Sequence, residues 1–368
     1  MSQFPFSALD QACMTQALAL AAKGLYTTDP NPRVGCVIAT GEGVVGQGWH
    51  RRAGEPHAEV HALREAGAQA HGATAYVTLE PCAHHGRTPP CADALIEAGV
   101  ARVVVACQDP FPAVAGQGIE RLRQAGIQVD IGLLQAEARA LNAGFFSRIE
   151  RGRPWLRLKM AMSLDGRTAL VNGESRWITG EAARADAHRW RARSSAILSS
   201  AATVLADDPL LTARLQDEAV EVVTPVRVIL DRWLRTPDDA RVLDGSAPTW
   251  LLHGELAKPS AIQAARARCV VMPERGKHLD LVAVMQWLAS EGINEVHLEA
   301  GPTLAGALFT AGLADELLIY MAPVLLGDHA MPLLQLPNLL SMDERWDLQP
   351  LEQTMLGADL RLRFACLD

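Results

Sequence analysis

One stretch of the chain concentrates residues of the types that bind a metal ion. It covers residues 80–91 and contains Cys82 and Cys91, two histidines and three prolines. His57 and Glu59 lie upstream of it, two positions apart. One imidazole and two thiolates leave a fourth position of a zinc ion open for water, which is the arrangement of a catalytic site. Zinc lowers the pKa of bound water from about 15.7 towards 7, so that water becomes a nucleophile near neutral pH.

The acidic residue beside these ligands has a different expected role. Glu59 is too near His57 in the chain to bind the metal comfortably, but it is well placed to move protons between water and a substrate nitrogen. The spacing H-x-E followed by P-C-x-x-C is typical of zinc-dependent deaminases, although here the second cysteine follows the first by nine residues. The alternatives are that His57, Cys82 and Cys91 are ordinary core residues, or that they hold a structural zinc, which would need a fourth ligand.

Two other motifs match known patterns only in part. His57 and His61 have the i, i+4 spacing of H-E-x-x-H metalloproteases, but the glutamate is at the wrong position, so we interpret His61 as a surface or core residue. Residues 41–46 spell G-x-G-x-x-G after a predicted strand. No helix is predicted directly after them, so there is no helix N-terminus for a pyrophosphate, and we predict a hairpin turn.

The neighbouring sequence predicts how the metal-binding residues are brought together. Pro56 precedes a helix predicted over 57–66, and two prolines precede a helix predicted over 91–98, as is common at helix starts. A thiolate at such a start is stabilised as an anion. A strand predicted over 75–79 leads to Cys82. The other elements predicted in this half are a helix over 7–25 with Ser7 and Gly24 as caps, strands over 34–39 and 103–106, a return strand from 44–45, and helices over 118–125 and 134–149.

The second half of the chain is predicted to be a separate domain. Residues 151–154 (Arg-Gly-Arg-Pro) form a basic joint, so we predict domains over 1–150 and 151–368, with 134–149 as a linker helix. Strands alternating with helices predict a sheet layered with helices. The tail after Met331 has no clear pattern. The elements predicted in this half are strands over 155–162, 195–199, 226–231, 248–252, 269–272, 295–299 and 316–321, and helices over 180–193, 281–291 and 302–312.

Composition and charge limit the class of protein. A chain of 368 residues with 49% hydrophobic and 21% charged residues predicts a globular protein of two domains. A net charge of −8 argues against a general binder of nucleic acids or membrane surfaces, and no apolar run approaches the about 18 residues of a membrane span. Seven scattered cysteines and an N-terminus without a signal-peptide pattern predict a cytoplasmic location.

Two features of the second half suit a phosphorylated ligand. Glu299 ends a predicted strand and is followed over 300–307 by a Gly-Pro turn and a helix of small residues, whose first backbone N–H groups are able to bind a phosphate. Arg191 and Arg214, with Arg193 nearby, are able to clamp a phosphate. The alternatives are a tightly packed strand–helix turn and arginines on a solvated helix face.

Four segments together resemble one known family. They are PCAHHGRTPPC (81–91) after HAE (57–59), MSLDGR (162–167), ADDPLLTAR (206–214) and EAGP (299–302). In these segments the chain is similar to the bifunctional riboflavin-biosynthesis deaminase/reductases, in which the gap between the cysteines is widened in the same way. The resemblance implies an α/β protein with an N-terminal cytidine-deaminase-like domain of three α/β/α layers and a C-terminal α/β domain like dihydrofolate reductase. It also implies zinc-dependent removal of the 2-amino group of 2,5-diamino-6-ribosylamino-4(3H)-pyrimidinone 5′-phosphate, followed by NADPH-dependent reduction of the ribosyl group to ribityl.

The resemblance further implies residue roles. Zinc would be held by His57, Cys82 and Cys91, with Glu59 as the proton shuttle, and the first substrate would contact Asn31, His50 and His84. In the reductase, Lys159 and Glu299 would position the ribose and manage its protons. NADPH would lie against Ala161, Trp177, Thr203, Asp207, Gly301, Pro302, Thr303, Leu304, Ala305, Gly306 and Ala307. The sugar phosphate would contact Ser175, Arg191, Leu211, Arg214 and Glu299.

The remaining expectations concern the binding partner, the positions where the chain differs from the family, and an alternative function. The resemblance implies a phosphorylated pyrimidine as the partner, neither nucleic acid nor a membrane, and a homo-oligomer (dimer or tetramer). Ala300 and residues 199–202 stand where the family usually has glycines, and each adds a methyl group near the expected cofactor. A nucleic-acid deaminase of the tRNA-editing type shares the zinc motif, and in that alternative the C-terminal half is a non-catalytic regulatory domain.

Overall fold

The computed structural model of the chain contains two units, residues Met1–Gly152 and Arg153–Asp368. In the described part of the chain, no helix is both long enough and apolar enough to cross a membrane. The residues that the structure describes are 6–83, 90–112, 114–217 and 219–367.

A five-stranded sheet forms the centre of the first unit. Its strands are β1 (Gly35–Thr40), β2 (Gly43–Trp49), β3 (Thr74–Val77), β4 (Arg102–Val105) and β5 (Gln128–Ile131). The order across the sheet is β2-β1-β3-β4-β5. Strand β1 is antiparallel to both of its neighbours, whereas β3, β4 and β5 are parallel. Parallel strands bring their carboxyl ends to one edge, which is where ligand sites form in such sheets.

Helices cover both faces of this sheet. They are α1 (Ala8–Ala22), α2 (Ala58–Ala66), α3 (Cys91–Glu97), α4 (Gln117–Gln124), α5 (Gln135–Leu141) and α6 (Ala143–Arg151). Because side chains alternate across a strand, Cys36 and Ala75 pack against α2, α3 and α4, while Val37 and Tyr76 pack against α1, α5 and α6. The expected three-layer α/β/α arrangement is confirmed.

The first helix and the hairpin agree with the prediction, apart from one cap. The Ser7 hydroxyl accepts from the Asp10 N–H (3.1 Å) while the Asp10 carboxylate accepts from the Ser7 N–H (2.8 Å), so that a capping box starts α1. Residues 41–42 connect β1 to its antiparallel partner β2, which residues 43–46 begin, so the G-x-G-x-x-G motif lies in a hairpin. The predicted cap at Gly24 is wrong, since Lys23 is the C-cap of α1.

The single helix predicted over 134–149 is wrong. It is two helices, α5 and α6, that meet at the buried residue Asn142. The Asn142 side chain accepts from the Arg33 N–H (2.8 Å) and donates to the Arg33 carbonyl (2.9 Å). A side chain that bonds to distant backbone groups in this way competes with helix formation at its own position. Asn142 accordingly has φ −113° and ψ 26°, outside the helical region.

The second unit is built on a nine-stranded sheet. The order across it is β11-β10-β9-β8-β14-β6-β15-β18-β17. From β11 to β15 all neighbours are parallel, whereas β18 and β17 are antiparallel. The strands of this unit are β6 (Trp155–Ser163), β7 (Arg167–Ala169), β8 (Ala196–Ser200), β9 (Val226–Leu230), β10 (Thr249–His253), β11 (Arg268–Val271), β12 (Glu274–Arg275), β13 (His278–Leu279), β14 (Glu295–Leu298), β15 (Glu316–Ala322), β16 (Met331–Pro332), β17 (Leu348–Leu356) and β18 (Asp359–Cys366).

The two faces of this sheet differ in character. The helices are α7 (Glu181–Ala192), α8 (Ala201–Asp207), α9 (Ala261–Arg266), α10 (Leu281–Ser290) and α11 (Pro302–Thr310). One face packs α10 and α11 on an apolar core that includes Leu158 and Leu298. On the other face, Trp190 of α7 packs near Leu318 and Tyr320. This second face carries the charged residues described below.

Sequence reasoning missed the β17–β18 hairpin and helix α8. Leucine and arginine alternate over 360–363 of β18, which is the signal of a strand with two different faces. Leu362 packs on the apolar core, whereas Arg361 and Arg363 form ion pairs on the other face. These two half-buried arginines lower the apparent hydrophobicity of the segment, and the strand is not evident from composition alone.

Candidate active sites

The three predicted metal ligands converge in the first unit. His57 is the N-cap of α2, Cys91 is the first residue of α3, and Cys82 follows the end of β3. Their ligand atoms all lie within 4.8 Å of one another. His57 Nδ1 lies 3.3 Å from Cys91 Sγ and 3.7 Å from Cys82 Sγ. One imidazole nitrogen and two sulfurs at this separation are a donor set that suits zinc.

A buried carboxylate fixes the segment that carries Cys82. Glu80 accepts backbone N–H groups of Asp109 (3.2 Å), Gly116 (3.0 Å), Gly118 (3.0 Å) and Ile119 (3.3 Å). These bonds tie the chain leading to Cys82 to the start of α4. A Cβ at Gly118 would come within 1.9 Å of the Pro81 carbonyl, so only glycine permits this approach.

The electrostatics of the cluster favour a bound cation. The hydrogen bond with Cys91 lowers the pKa of Cys82 to about 4, and the same contact raises the pKa of Cys91. The hydrogen bond with Cys82 raises the pKa of His57. Burial raises the pKa of Glu59, whose Oε2 is buried and has no hydrogen-bond partner among the described residues. These groups therefore fit a metal ion with a proton-accepting carboxylate beside it.

Two of the three residues expected to contact the first substrate lie beside this cluster. The His50 and His57 rings meet edge to face with centroids 5.3 Å apart. His50 Nδ1 lies 3.3 Å from the Pro56 carbonyl, which only accepts, so His50 Nε2 accepts from the Asn31 side-chain amide at 3.1 Å. His84 lies outside the described residues.

The second unit brings Lys159 and Glu299 to the face covered by α7. Arg191 of α7 donates from Nε to Glu299 Oε1 and from Nη2 to Glu299 Oε2 (2.6 Å). Burial alone would raise the pKa of Glu299, but the charge and hydrogen bonds of Arg191 lower it well below the usual range. Burial lowers the pKa of Lys159. No described residue forms a hydrogen bond or ion pair with its ammonium, which lies 5.8 Å from the centroid of the Tyr320 ring.

A buried set of ion pairs lies next to this pair on the same face. Arg157 is 2% exposed and lies between Glu295 (3.3 Å) and Glu316 (3.0 Å), with its guanidinium 4.5 Å from the centroid of the Trp190 ring. The set continues towards β18. Its further contacts are Arg193 with Glu295, Arg363 with Glu316, Arg361 with Asp186, and the Tyr320 hydroxyl donating to Asp186 (2.8 Å). We call these residues the charge ladder.

The residues expected to bind NADPH have mixed surroundings. Trp177 is 71% exposed, and the preceding residue Arg176 donates to the Asp207 carbonyl (2.6 Å). Thr203 lies in the first turn of α8, and Ala161 is half-buried in β6.

The start of α11 is open to a ligand. Gly301 is its N-cap, no side chain caps it, and a Cβ at Gly301 would have no neighbour within 4 Å. Pro302, Thr303, Leu304 and Ala307 are exposed or half-buried. Ala305 is buried, and a Cβ at Gly306 would come within 2.1 Å of the Gln335 carbonyl, so these two residues pack inside the unit. The uncapped start of α11 suits a dinucleotide phosphate, and the exposed indole of Trp177 suits an aromatic base.

The residues expected to contact the sugar phosphate lie near α7 and the segment after α8. Arg214 is exposed and donates from Nη1 to Thr212 Oγ1 (2.7 Å). Leu211 is buried with φ +50°, and Ser175 is half-buried in the segment between β7 and α7. Arg191 has little remaining capacity for a phosphate, because Nε and Nη2 donate to Glu299 and Nη1 donates to the Thr212 carbonyl (3.0 Å).

The residues that stand where the family usually has glycines make contacts of their own. The Ser199 hydroxyl donates to the Glu299 carbonyl (2.7 Å), which ties β8 to the end of β14. The Ser200 hydroxyl accepts from the Thr203 N–H (3.3 Å) and caps α8. Ala300 is half-buried and packs against the apolar core.

Sequence reasoning did not single out three polar residues around the second site. His297 is buried in β14 with Nε2 3.3 Å from Glu299 Oε1, Tyr320 lies against Lys159, and His188 lies against Arg191 and Arg214. The signal was available for two of them. His297 is two residues before Glu299 in a strand, and His188 is three residues before Arg191 in a helix, so each shares a face with a predicted site residue.

Comparison with known proteins agrees with both halves. The family description "Cytidine and deoxycytidylate deaminase zinc-binding region" matches residues 7–107, and "RibD C-terminal domain" matches residues 154–360. The riboflavin biosynthesis protein RibD of Escherichia coli is 50% identical over 362 residues, which are 96% of this chain and 98% of the relative.

Two solved structures match nearly the whole chain. Acinetobacter baumannii RibD is 45% identical with a TM-score of 0.92, covering 98% of this chain and 99% of that one. A diaminohydroxyphosphoribosylaminopyrimidine deaminase/5-amino-6-(5-phosphoribosylamino)uracil reductase of Thermotoga maritima is 31% identical with a TM-score of 0.86 and the same coverage. The tRNA-type alternative with a non-catalytic second half is thereby displaced, because the chain belongs to the RibD family of bifunctional deaminase/reductases of riboflavin biosynthesis.

Proposed function

We propose that the first unit removes the 2-amino group of 2,5-diamino-6-ribosylamino-4(3H)-pyrimidinone 5′-phosphate, with His57, Cys82 and Cys91 as the ligands of one zinc ion. The observation that carries this proposal is the convergence of these three donors, together with a Glu59 Oε2 that accepts no hydrogen bond from the described residues. Zinc bound there would act as a Lewis acid that lowers the pKa of water.

Glu59 acts as the proton shuttle of the deamination. Burial raises the pKa of its carboxyl group, so it is able both to accept a proton from water and to return it. Hydrolysis adds water at the carbon that carries the amine and breaks its C–N bond. Glu59 removes a proton from water and delivers one to the amine, which leaves as ammonia.

Asn31 and His50 orient the pyrimidine in the first site. Because His50 Nε2 is occupied by an N–H of the Asn31 amide, the Asn31 side chain has a fixed orientation. A fixed amide offers one acceptor and one further donor to the edge of a pyrimidine. His84 is proposed as a third contact on the family resemblance alone.

Lys159 and Glu299 have different roles in the second site. Conversion of a cyclic ribosyl group to open-chain ribityl breaks the C1′–O4′ bond, and a proton must reach O4′. NADPH would supply the hydride, and the protein orients and polarises the reacting groups. Glu299 is held as an anion by Arg191 and therefore orients the sugar and does not donate a proton. Lys159 has a lowered pKa and forms no ion pair with another residue that the structure describes, so it is the proton donor.

NADPH binds across the start of α11 and the indole of Trp177. The uncapped N–H groups after Gly301 suit a phosphate of the dinucleotide, and Arg176, which donates to the Asp207 carbonyl, brings Trp177 next to α8. The buried residues Ala305 and Gly306 support the helix and do not themselves contact the cofactor.

The enzyme works as a cytoplasmic homo-oligomer on a small phosphorylated pyrimidine. All seven cysteines are free thiols, which is typical of a reducing compartment. The oligomer rests on the family resemblance.

The decisive experiment is turnover of the diaminopyrimidine phosphate by purified enzyme. Without NADPH we expect release of one ammonia per substrate and no further change, and with NADPH we expect ammonia release followed by oxidation of the cofactor. Oxidation of NADPH without ammonia release would contradict the order of reactions. Turnover of tRNA or single-stranded DNA would contradict the substrate class.

A further inference from the structure

His188 lies where α7 meets the segment that carries Arg214. It is half-buried and lies three residues before Arg191, on the same face of the helix. Arg191 Nη1 donates to the Thr212 carbonyl (3.0 Å), and the Arg214 N–H donates to His188 Nδ1 (3.2 Å). Two neighbouring side chains of α7 therefore hold the 212–214 backbone.

The hydrogen bonds of this ring determine its tautomer. Nδ1 accepts the Arg214 N–H, and Arg191 Nη1, also a donor, lies 3.5 Å from the same nitrogen. With Nδ1 as the acceptor, the proton of a neutral imidazole is on Nε2. Burial and the charges of Arg191 and Arg214 lower the pKa of His188 to about 4, against the opposing effects of Glu299 and the Thr212 carbonyl, so the ring is neutral at physiological pH.

Two donors consequently meet on the outer side of the ring. His188 Nε2 lies 3.3 Å from Arg214 Nη2. Neither nitrogen accepts in this state, and no hydrogen bond from the Nε2–H to another described residue is found. The Thr212 carbonyl, the acceptor that lies near the ring, accepts from Arg191 Nη1. An oxygen that accepts from both would satisfy them together, and phosphate oxygens accept several hydrogen bonds from an arginine and a neighbouring donor.

We propose that the Nε2–H of His188 and the guanidinium of Arg214 together bind the 5′-phosphate of the reductase substrate. This inference rests on the proposed function, since it takes the second unit as the reductase, and it takes Arg214 as a phosphate ligand, as the family resemblance implies. It changes the roles of the two arginines. Arg191 positions Glu299 and the Thr212 backbone, while Arg214 and His188 contact the phosphate. His188 adds a directed donor and no charge, so it contributes geometry to a site whose charge comes from Arg214.

The test uses the full-length enzyme supplied with deaminated substrate, and two variants that separate the nitrogens. His188→Asn keeps an acceptor for the Arg214 N–H but has no group at the Nε2 position. His188→Gln has an amide N–H that reaches that position. The measurements are kcat and KM for the phosphorylated substrate and for its dephosphorylated form, and the inhibition constant of inorganic phosphate.

A hydrogen bond to a charged group is worth about tenfold or more in affinity. We therefore expect His188→Asn to raise the KM of the phosphorylated substrate by about tenfold, to weaken phosphate inhibition equally, and to leave kcat unchanged. The dephosphorylated substrate should have the same KM in both enzymes. His188→Gln should restore most of the loss, and ammonia release should not change.

Arg214→Ala separates failure of this inference from failure of the proposed function. A raised KM in Arg214→Ala together with an unchanged KM in His188→Asn would overturn the role of His188 alone. If His188→Asn raised the KM of the phosphorylated and the dephosphorylated substrate equally, His188 would have a structural role, and its proposed contact with the phosphate would be wrong. If Arg214→Ala does not change the KM of the phosphorylated substrate, the phosphate binds elsewhere, and the roles given to Arg214 and to His188 are both wrong.

Discussion

Glu59 and Glu299 are both largely buried carboxylates beside a reaction centre, yet their surroundings are opposite. Glu59 has one oxygen without a hydrogen-bond partner among the described residues, and burial raises its pKa. Both oxygens of Glu299 accept from Arg191, which lowers its pKa well below the usual range. A carboxylate without a partner is able to exchange protons, whereas a paired one remains an anion.

This difference supports the proton-transfer group that we propose in each unit. In the first unit it is the carboxylate itself. In the second unit the carboxylate is fixed by Arg191, and the remaining group is Lys159, which has a lowered pKa and no ion-pair partner in the described part of the chain. Perturbed pKa values of this kind are common where acid–base chemistry takes place.

The supporting structure differs in the same way. The metal ligands are held by backbone hydrogen bonds, above all those of Glu80, and by helix starts. Lys159 and Glu299 lie beside the charge ladder, whose members come from five strands or helices of the second unit. Replacement of single residues measures how far each unit depends on its proton-transfer group and on the contacts that support it.

The largest effect is expected for Glu59→Gln. Glutamine has the same shape but does not accept a proton, so ammonia release should fall by about 10³- to 10⁴-fold. Zinc content, measured by elemental analysis, should not change, and reduction of deaminated substrate should proceed as before. The exposed Glu65 on the same helix provides the control, since Glu65→Gln should leave both activities intact. If Glu59→Gln reduced both activities together, the division into two sites would be wrong.

The reverse pattern is expected for Lys159→Met. Without its proton donor, NADPH oxidation with deaminated substrate should slow by about 10²- to 10³-fold, while ammonia release continues. In the unmodified enzyme, the basic limb of the pH–rate profile should lie below the usual lysine pKa of about 10.4, because burial lowers the pKa of Lys159. Lys258→Met, at an exposed lysine of the same unit, is the control. Undiminished reduction by Lys159→Met would mean that another group donates the proton.

A stability effect is expected for Arg157→Met in the charge ladder. It leaves Glu295 and Glu316 buried with one arginine each, and breaking a buried pair costs about 3–5 kcal/mol. Hydrogen exchange in β6 and β14 measures the loss. Arg268→Met removes an exposed pair with Glu291 and should change stability little. Equal effects of the two variants would mean that the ladder contributes no more than a surface pair.

A smaller, pH-dependent effect is expected for Asp10→Asn in the first unit. Burial opposes ionisation of Asp10, but hydrogen bonds from Arg102, the Ser7 backbone and Tyr76 lower its pKa to about 2. Because the folded pKa is below the usual value of about 3.9, the stabilisation is present above pH ~4 and is lost as the pH falls towards 2. At neutral pH the variant should lose about 1.5 kcal/mol of unfolding free energy.

The same comparison provides its own check. The difference in unfolding free energy between Asp10→Asn and the unmodified protein should shrink as the pH is lowered from about 4 to about 2. A difference that stays constant over this range would mean that the Asp10 charge does not contribute. Chemical denaturation at several pH values measures this difference in unfolding free energy. Hydrogen exchange in β3 and β4 monitors the first unit alone.

Local signals predicted much of the fold. The N-cap at Ser7, the hairpin after β1 and most of the parallel strands of the second unit follow from propensity and hydrophobic spacing. The break at Asn142 does not, because its cause is a pair of hydrogen bonds to Arg33, which is distant in the chain. The β17–β18 hairpin was missed for a related reason, since Arg361 and Arg363 are stable in the interior only with partners from other elements.

The sequence by itself indicated the three donors that we propose as zinc ligands, because zinc chemistry requires particular atoms and their spacing is visible in the chain. It also determined which residues resemble a reductase site. Only the tertiary structure decided that Glu59 has an oxygen without a hydrogen-bond partner among the residues described, that Arg191 is occupied by Glu299, and that His188 adjoins Arg214. Residue type fixes what a group is able to do, whereas its protonation and its free hydrogen-bonding capacity depend on neighbours that folding brings from elsewhere in the chain.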